Sequence, residues 1–178
     1  MRIISGSHKG RRLTAPKKLP VRPTTDRSKE ALFNVLQHQY DLGNSTVLDL
    51  FSGTGSISYE FGSRGAKNII AVDQNKMCVD FIRKTSESLE LPIQVTQMDA
   101  LKYLSAIKMQ FDLVFADPPY NLGTQHYHEI IQKVFDNQLL NEQGLLIIEH
   151  SEQEGFEKHS RFNQFRKYGS NVFSFFDQ

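Results

Sequence analysis

A chain of 178 residues, 39% of them hydrophobic, is long enough for one well-buried core, and it contains no apolar run of the ~18 residues that a membrane span needs. Its single cysteine, Cys78, excludes a disulfide framework, suits a reducing cytoplasm and is expected to be a small core residue. The net charge of +1 conceals an asymmetry: residues 1–30 carry nine Lys/Arg against Asp26 and Glu30, and the remainder carries a net of −6. Such polarity suits either a polyanion gripped at one end of the molecule or a merely solvated basic arm.

The N-terminal stretch "MRIISGSHKGRR" is charged and has no apolar core, so a signal peptide is not expected. "RIISGSHKGRRLTAP" reads as two short strands around a Ser-Gly-Ser-His-Lys-Gly turn, and "PKKLPVRP" as a proline-punctuated connection. "TTDRSKEALFNVLQHQY" places Ala31, Leu32, Val35 and Leu36 at helical spacing behind the candidate caps Thr24, Thr25 and Asp26.

From residue 46 strands and helices alternate: strand 46–51, helix 56–65, strand 68–73, helix 76–89, strand 93–98, helix 100–107, strand 111–117, helix 127–140 and strand 144–150. The strands are continuous apolar runs, as when helices cover both faces of a parallel sheet. The tail "FNQFRKYGSNVFSFF" predicts an antiparallel hairpin around Gly169-Ser170 at the sheet's edge, its phenylalanines packing rather than stacking on bases. The expected fold is an open, doubly wound α/β sheet, with residues 1–23 as a basic extension and 24–178 as the main domain.

In such sheets ligands bind beyond the carboxyl ends of the strands. Those ends read "DLFSGTG", "VDQN", "MDAL" and "DPPY", each with an acid. Gly53 and Gly55 permit a tight strand-to-helix turn, but a nicotinamide fingerprint would want glycine or alanine where Ser58 stands, and Asp49 would repel a pyrophosphate. A cationic ligand without phosphate fits better, and S-adenosylmethionine is one. Asp73 is placed either to hold ribose hydroxyls or to cap the next helix; Asp99 and Ala100 could meet the adenine or simply begin a helix.

In "DPPY", Pro118 and Pro119 fix two φ angles and remove two N–H donors, so Asp117 and the backbone carbonyls present acceptors at a rigid corner. An exocyclic amine is the natural donor for such a cluster, and Tyr120 offers a face on which a base can stack. A nucleobase amine is a poor nucleophile; hydrogen bonds to Asp117 and the Pro118 carbonyl would orient it and stabilise charge developing on nitrogen. His126 and His128, two residues apart, point to different faces, so no metal site is expected. Glu149 and His150 end the fifth strand and could reach the pocket.

Through "RIISGSHKGRRL", "RPTTDRSKEALFNVL", "LDLFSGTGSISYE", "SRGA", "VDQN", "DPPY" and "RKYG" the chain resembles, over nearly its whole length, the RsmD-type 16S ribosomal RNA guanine-N2 methyltransferases. The resemblance implies the class I methyltransferase fold, S-adenosylmethionine as cofactor, and a guanine of small-subunit ribosomal RNA as substrate, alone or in an assembling particle. It implies cofactor contacts from Asp49, Phe51, Ser52, Gly53, Thr54, Gly55, Asp73, Gln74, Asp99 and Ala100, and a catalytic corner of Asp117, Pro118, Pro119 and Tyr120. RNA contacts are implied for Lys9, Arg11, Arg12, Lys17, Lys18, Arg22, Thr24, Thr25 and Arg27, on a monomeric cytoplasmic protein without metal. Ser52, Thr54 and Phe61-Gly62 depart from the expected pattern, the last pair falling where an alanine-rich helix is expected. DPPY alone does not choose the base, since adenine-N6 and cytosine-N4 enzymes carry similar tetrapeptides. A DNA adenine methyltransferase, a non-catalytic RNA-binding assembly factor and a nicotinamide oxidoreductase are the competing readings.

Overall fold

Alternate residues along each central strand feed two different hydrophobic clusters, which is why the strands read as unbroken apolar runs. Leu48, Leu50, Ile70, Val72, Val114, Ala116, Leu146 and Ile148 pack on one face, and Val47, Ile69, Leu113, Phe115, Leu145 and Ile147 on the other. The computed structural model describes residues 1–16, Leu19 and residues 25–177. The expected division between residues 23 and 24 lies outside them.

Strands β1 (Thr46–Leu50), β2 (Asn68–Asp73), β3 (Ile93–Gln97), β4 (Phe111–Ala116) and β5 (Leu140–His150) are parallel, and β6 (Phe162–Tyr168) and β7 (Asn171–Phe176) form the antiparallel hairpin. Among the described residues they make one seven-stranded sheet in the order β3-β2-β1-β4-β5-β7-β6. Helices α1 (Asp26–Gln39), α2 (Ser56–Ser63), α3 (Lys76–Ser88), α4 (Ala100–Ala106) and α5 (Thr124–Asp136) cover the sheet. Leu32, Phe33 and Leu36 of α1 and Ile57 and Phe61 of α2 pack on one face; Tyr103 and Leu104 of α4 and Ile130, Ile131 and Val134 of α5 pack on the other. Burying one such side chain contributes about 1.5–3 kcal/mol. No described helix is long and apolar enough to cross a membrane.

The elements stand close to their expected places, with two corrections. Helix α5 starts at Thr124 and stops at Asp136, and β5 starts at Leu140, inside the segment expected to be helical. Gln138 breaks the helix with φ 52°, after which Leu139 and Leu140 are buried and the Leu139 carbonyl accepts from the Phe111 N–H at 2.9 Å. Tertiary pairing with β4 outweighs the helical spacing of these leucines.

The N-terminal arm is the second correction. In place of two strands it has one isolated bridge, Arg2 to Arg12, flanked by backbone bonds from Ile3 to Arg11 and from Gly10 to Ile3. Its central N–H groups go elsewhere: those of Ile4 and Ser5 donate to the Glu60 carboxylate at 2.8 and 3.1 Å, and that of Ser7 donates to the Ser63 carbonyl at 2.7 Å. Gly6, at φ 83°, approaches α2 so closely that a Cβ there would stand 1.8 Å from the Ser63 carbonyl oxygen. Ile3 is buried with Tyr59, Ala71, Ile82 and Leu89.

Glu60 is wholly enclosed. Besides the two arm N–H groups it receives the Arg64 Nε at 2.8 Å and lies 3.8 Å from the Nζ of Lys29, itself 1% exposed. Lys29 therefore leaves the basic arm's solvent-facing charge and becomes an internal partner, donating also to the Arg2 carbonyl at 2.8 Å and to Ser56 Oγ at 3.0 Å. Glu60→Ala is expected to destabilise the fold by about 3–5 kcal/mol in urea unfolding, because it strands a buried lysine and two backbone donors. Limited proteolysis of the variant should begin within residues 1–16; unchanged stability and protection would show that the arm is held by other contacts.

Candidate active site

The sheet order reverses at β1: the chain steps outward to β2 and β3, then returns to lay β4 on the other side of β1. A cavity of about 400 Å³ opens at the carboxyl ends of the strands flanking that reversal. Of the cofactor residues expected from sequence, it gathers Asp49, Phe51, Ser52, Gly53, Thr54, Asp73, Gln74, Asp99 and Ala100, together with the whole Asp117-Pro118-Pro119-Tyr120 corner. Gly55 stands behind the wall. It takes φ 76° to start α2, and a Cβ there would meet the Tyr59 ring at 2.8 Å.

The loop after β1 is stitched from within. The Ser52 N–H donates to the Val72 carbonyl at 3.1 Å, the Ser52 hydroxyl donates to the Asp49 carbonyl at 2.6 Å, and the Gly55 N–H returns to the Ser52 carbonyl at 2.7 Å. Serine thus earns its place where the family pattern differs. Phe51 is held at φ 58°, a conformation costing a bulky residue roughly 1–3 kcal/mol and one that concentrates at functional loops. The other departure is also structural: a Cβ on Gly62 would press on Leu91 at 3.2 Å, so glycine lets α2 pack against the segment before β3.

Asp73 is not the cap of α3. That role belongs to Asn75, whose side-chain oxygen accepts from the Met77 and Cys78 N–H groups. Asp73 accepts instead from the Gly53 N–H and the Asn75 N–H, both at 2.8 Å, which aims its carboxylate across the β1 loop. Burial raises its pKa and these two donors oppose the rise. Asp99 caps α4 through the Lys102 N–H at 3.0 Å and lines the cavity. Cys78 is buried, as expected.

Asp49 is 1% exposed and accepts from both the N–H and the hydroxyl of Ser58. Burial pushes its carboxyl up to about 7, Ser58 works against the shift and Asp73 adds to it. Asp117 is raised well above the usual carboxylate range by its removal from water and then by the charges of Glu149 and Asp49. Pro118 is buried, while Tyr120 opens a turn of 3-10 helix with nearly half its surface exposed.

Glu149 lines the cavity and accepts from the Asn171 side-chain amide; His150 faces away. The His150 Nδ1–H donates to the Ser151 carbonyl at 2.8 Å, which leaves Nε2 to accept from the Ser174 hydroxyl at 2.7 Å, and burial keeps the ring on the neutral side. Ser56, Ile57, Asn75, Met98, Phe115 and Asn171 also line the cavity; Ser56, Ile57, Asn75 and Met98 fall inside the quoted motifs, but none of the six was singled out as a site residue from the sequence. Five carboxylates and no basic side chain line it among the described residues. Such a wall excludes pyrophosphate and fits a ligand bearing ammonium and sulfonium charges, so the residues present suit S-adenosylmethionine. No group of ligands able to hold a metal occurs among the described residues.

Of the residues expected to contact RNA, Thr25 reaches the cavity edge, where it also caps α1 by accepting from the Ser28 N–H at 3.1 Å. Lys9, Arg11, Arg12 and Arg27 are exposed and outside the cavity. Lys17, Lys18, Arg22 and Thr24 lie outside the described residues.

A family model described as conserved hypothetical protein 95 matches residues 1–177. The ribosomal RNA small subunit methyltransferase D of Haemophilus influenzae is 32% identical over 154 residues, spanning 84% of this chain and 78% of its own. The solved structure of yhhF from Escherichia coli superposes with a TM-score of 0.85 at 26% identity, over 99% of this chain and 96% of that one. The Thermus thermophilus 16S rRNA N2 G1207 methyltransferase RsmC, solved with AdoMet and guanosine, shares the fold at a TM-score of 0.70 and 20% identity, over 87% of this chain and 44% of that one.

Asp49 generates a pH-linked prediction. Its folded pKa lies above the unfolded value, so between about pH 4 and 7 the unfolded state sheds a proton that the folded state keeps, and this residue lowers stability as pH rises through that window. Asp49→Asn is expected to stabilise the ligand-free protein at pH 8 by ~0.5–2 kcal/mol and to have less effect at pH 4, measured by thermal unfolding, while weakening cofactor binding. Equal stabilisation at both pH values would refute the buried-charge account.

Proposed function

The chain belongs to the family of conserved hypothetical protein 95, the RsmD-type methyltransferases, and on that premise we propose that it methylates the exocyclic N2 amine of a guanine in small-subunit ribosomal RNA. Its fold is that of class I S-adenosylmethionine-dependent methyltransferases, and S-adenosylmethionine is its cofactor. In this reading the protein acts in the cytoplasm as a monomer on ribosomal RNA. The carrying observation is that the acid-walled loop after β1 and the DPPY corner after β4 share one cavity.

Asp73 would hold the ribose hydroxyls, Asp99 and Ala100 would meet the adenine, and Asp49 would face the ammonium end. The bound cofactor supplies an electrophilic methyl group on a sulfonium. The chain's own residues prepare the amine. Asp117 and the Pro118 carbonyl accept its two N–H bonds, hold the nitrogen in an attacking orientation and stabilise the positive charge that grows there. Asp117 then takes the proton that methylation makes acidic. Tyr120, exposed at the mouth, stacks on the extruded base, a contact worth ~1–3 kcal/mol.

Undermethylated small subunits incubated with the protein and labelled cofactor, then mapped by mass spectrometry, are expected to show N2-methylguanine at one position. A methylated adenine or an unlabelled RNA would overturn the reading. Asp117→Ala is expected to lower turnover by about 10²–10³ with cofactor affinity within a few-fold, whereas Asp73→Ala should chiefly weaken cofactor binding in calorimetry.

The arm supplies the remaining expectation. If Arg11 and Arg12 meet phosphates, changing both to Ala reduces the slope of log affinity against log salt by roughly 0.7–0.9 for each lost contact and leaves cofactor affinity intact. An unchanged slope would assign these side chains to solvent.

A further inference from the structure

The end of β5 brings a second carboxylate to the substrate corner. Ala116 of β4 and Ile148 of β5 are paired in register, so Asp117 and Glu149, each the next residue, stand side by side where two parallel strands about 4.8 Å apart open into the cavity. Glu149 is 2% exposed, and its Oε1 accepts from Asn171, the first residue of β7. The hairpin therefore fixes the carboxylate's orientation from a different part of the sheet. After burial, the charge of Glu149 is the next cause that raises the Asp117 carboxyl.

Paired carboxylates form an acceptor–acceptor surface, and the Watson–Crick edges of the bases respond to it differently. Guanine offers two adjacent donors, N1–H and the N2 amine. Adenine sets the N1 acceptor beside its N6 amine, and cytosine sets N3 beside its N4 amine, so either base would turn a lone pair toward one of the two acids. Resting on the guanine-N2 reading, we propose that Glu149, positioned by Asn171, selects the base by accepting from guanine N1–H while Asp117 accepts from the N2 amine. A carboxyl proton retained by the pair in the empty site would have to leave before guanine docks.

The test uses the full-length protein and small-subunit RNA in which the mapped target guanine is replaced by 1-methylguanine, which keeps the N2 amine and lacks N1–H. For the wild-type protein, kcat/KM on the 1-methylguanine RNA is expected to be about 10- to 100-fold below that on the guanine RNA, the usual effect of losing a hydrogen bond to a charged group. In Glu149→Gln the single amide carbonyl is occupied by Asn171 and the amide N–H₂ faces the base. The variant should lose activity on guanine RNA, show a ratio near one between the two RNAs, and bind S-adenosylmethionine within about threefold of wild type.

Asn171→Ser leaves the carboxylate but loosens it, and it should reduce the ratio at least severalfold; it is the deciding variant if Glu149→Gln fails to fold. A wild-type ratio near one, or a full wild-type ratio in both variants, would overturn the role of Glu149 while N2-methylguanine in the mapped product keeps the proposed function standing. A wild-type product methylated on any other base would remove both.

Discussion

Glu60 is the interaction on which the arrangement of the N-terminal third depends. A carboxylate with no exposure collects two backbone N–H groups from the arm, the guanidinium of Arg64 one turn along its own helix and, at longer range, the ammonium of Lys29 from α1. Removing these charges from water is costly, and only the completeness of the donor set makes it tolerable. The arm's own backbone bonds join Met1 and Ile3 to Gly10, Arg11 and Leu13, and the N–H groups of Ile4, Ser5 and Ser7 between them are taken by α2. Lys29 extends the network through the Ser56 hydroxyl, and Ser56 lines the cavity, so partly buried and buried polar contacts run from the basic arm to the wall of the acidic pocket.

The pocket is organised by a different constraint, the shortage of compensating charge. Its acids arrive at the ends of β1, β2, β4 and β5 and at the start of α4 because a doubly wound sheet delivers all its parallel strand ends to one edge. Backbone N–H groups and Ser58 satisfy Asp49 and Asp73 without neutralising them, and Asp117 feels Glu149 and Asp49 as repulsion. Burial and the mutual repulsion of these acids raise the Asp49 and Asp117 carboxyls, an electrostatic environment that favours positive charge beside them.

Much of this was legible in the order of residues. Parallel strands buried on both faces must be continuously apolar, and the acids that follow them, from Asp49 to Asp117, mark the ligand edge before any coordinates are known. The DPPY corner is readable because two prolines restrict the backbone locally, whatever surrounds them. Asp73 is ambiguous in sequence because an acid three residues before a helix serves a cap or a ligand equally well; the structure gives the cap to Asn75. The end of α5 was misread because Leu139 and Leu140 continue a helical spacing, and only the neighbouring β4 recruits them to the sheet.

The sequence by itself determined the alternation of strands and helices, the edge at which the acids gather and the rigid corner, since each follows from periodicity or from the stereochemistry of neighbouring residues. Tertiary structure decided the rest. Glu60 meets Ile4 across 56 positions, Lys29 meets Ser56 across 27, and Asn171 meets Glu149 across 22. No local propensity encodes such pairs. A buried polar group takes whichever partner the packed chain brings within reach, and that choice exists only once the sheet has closed over its helices.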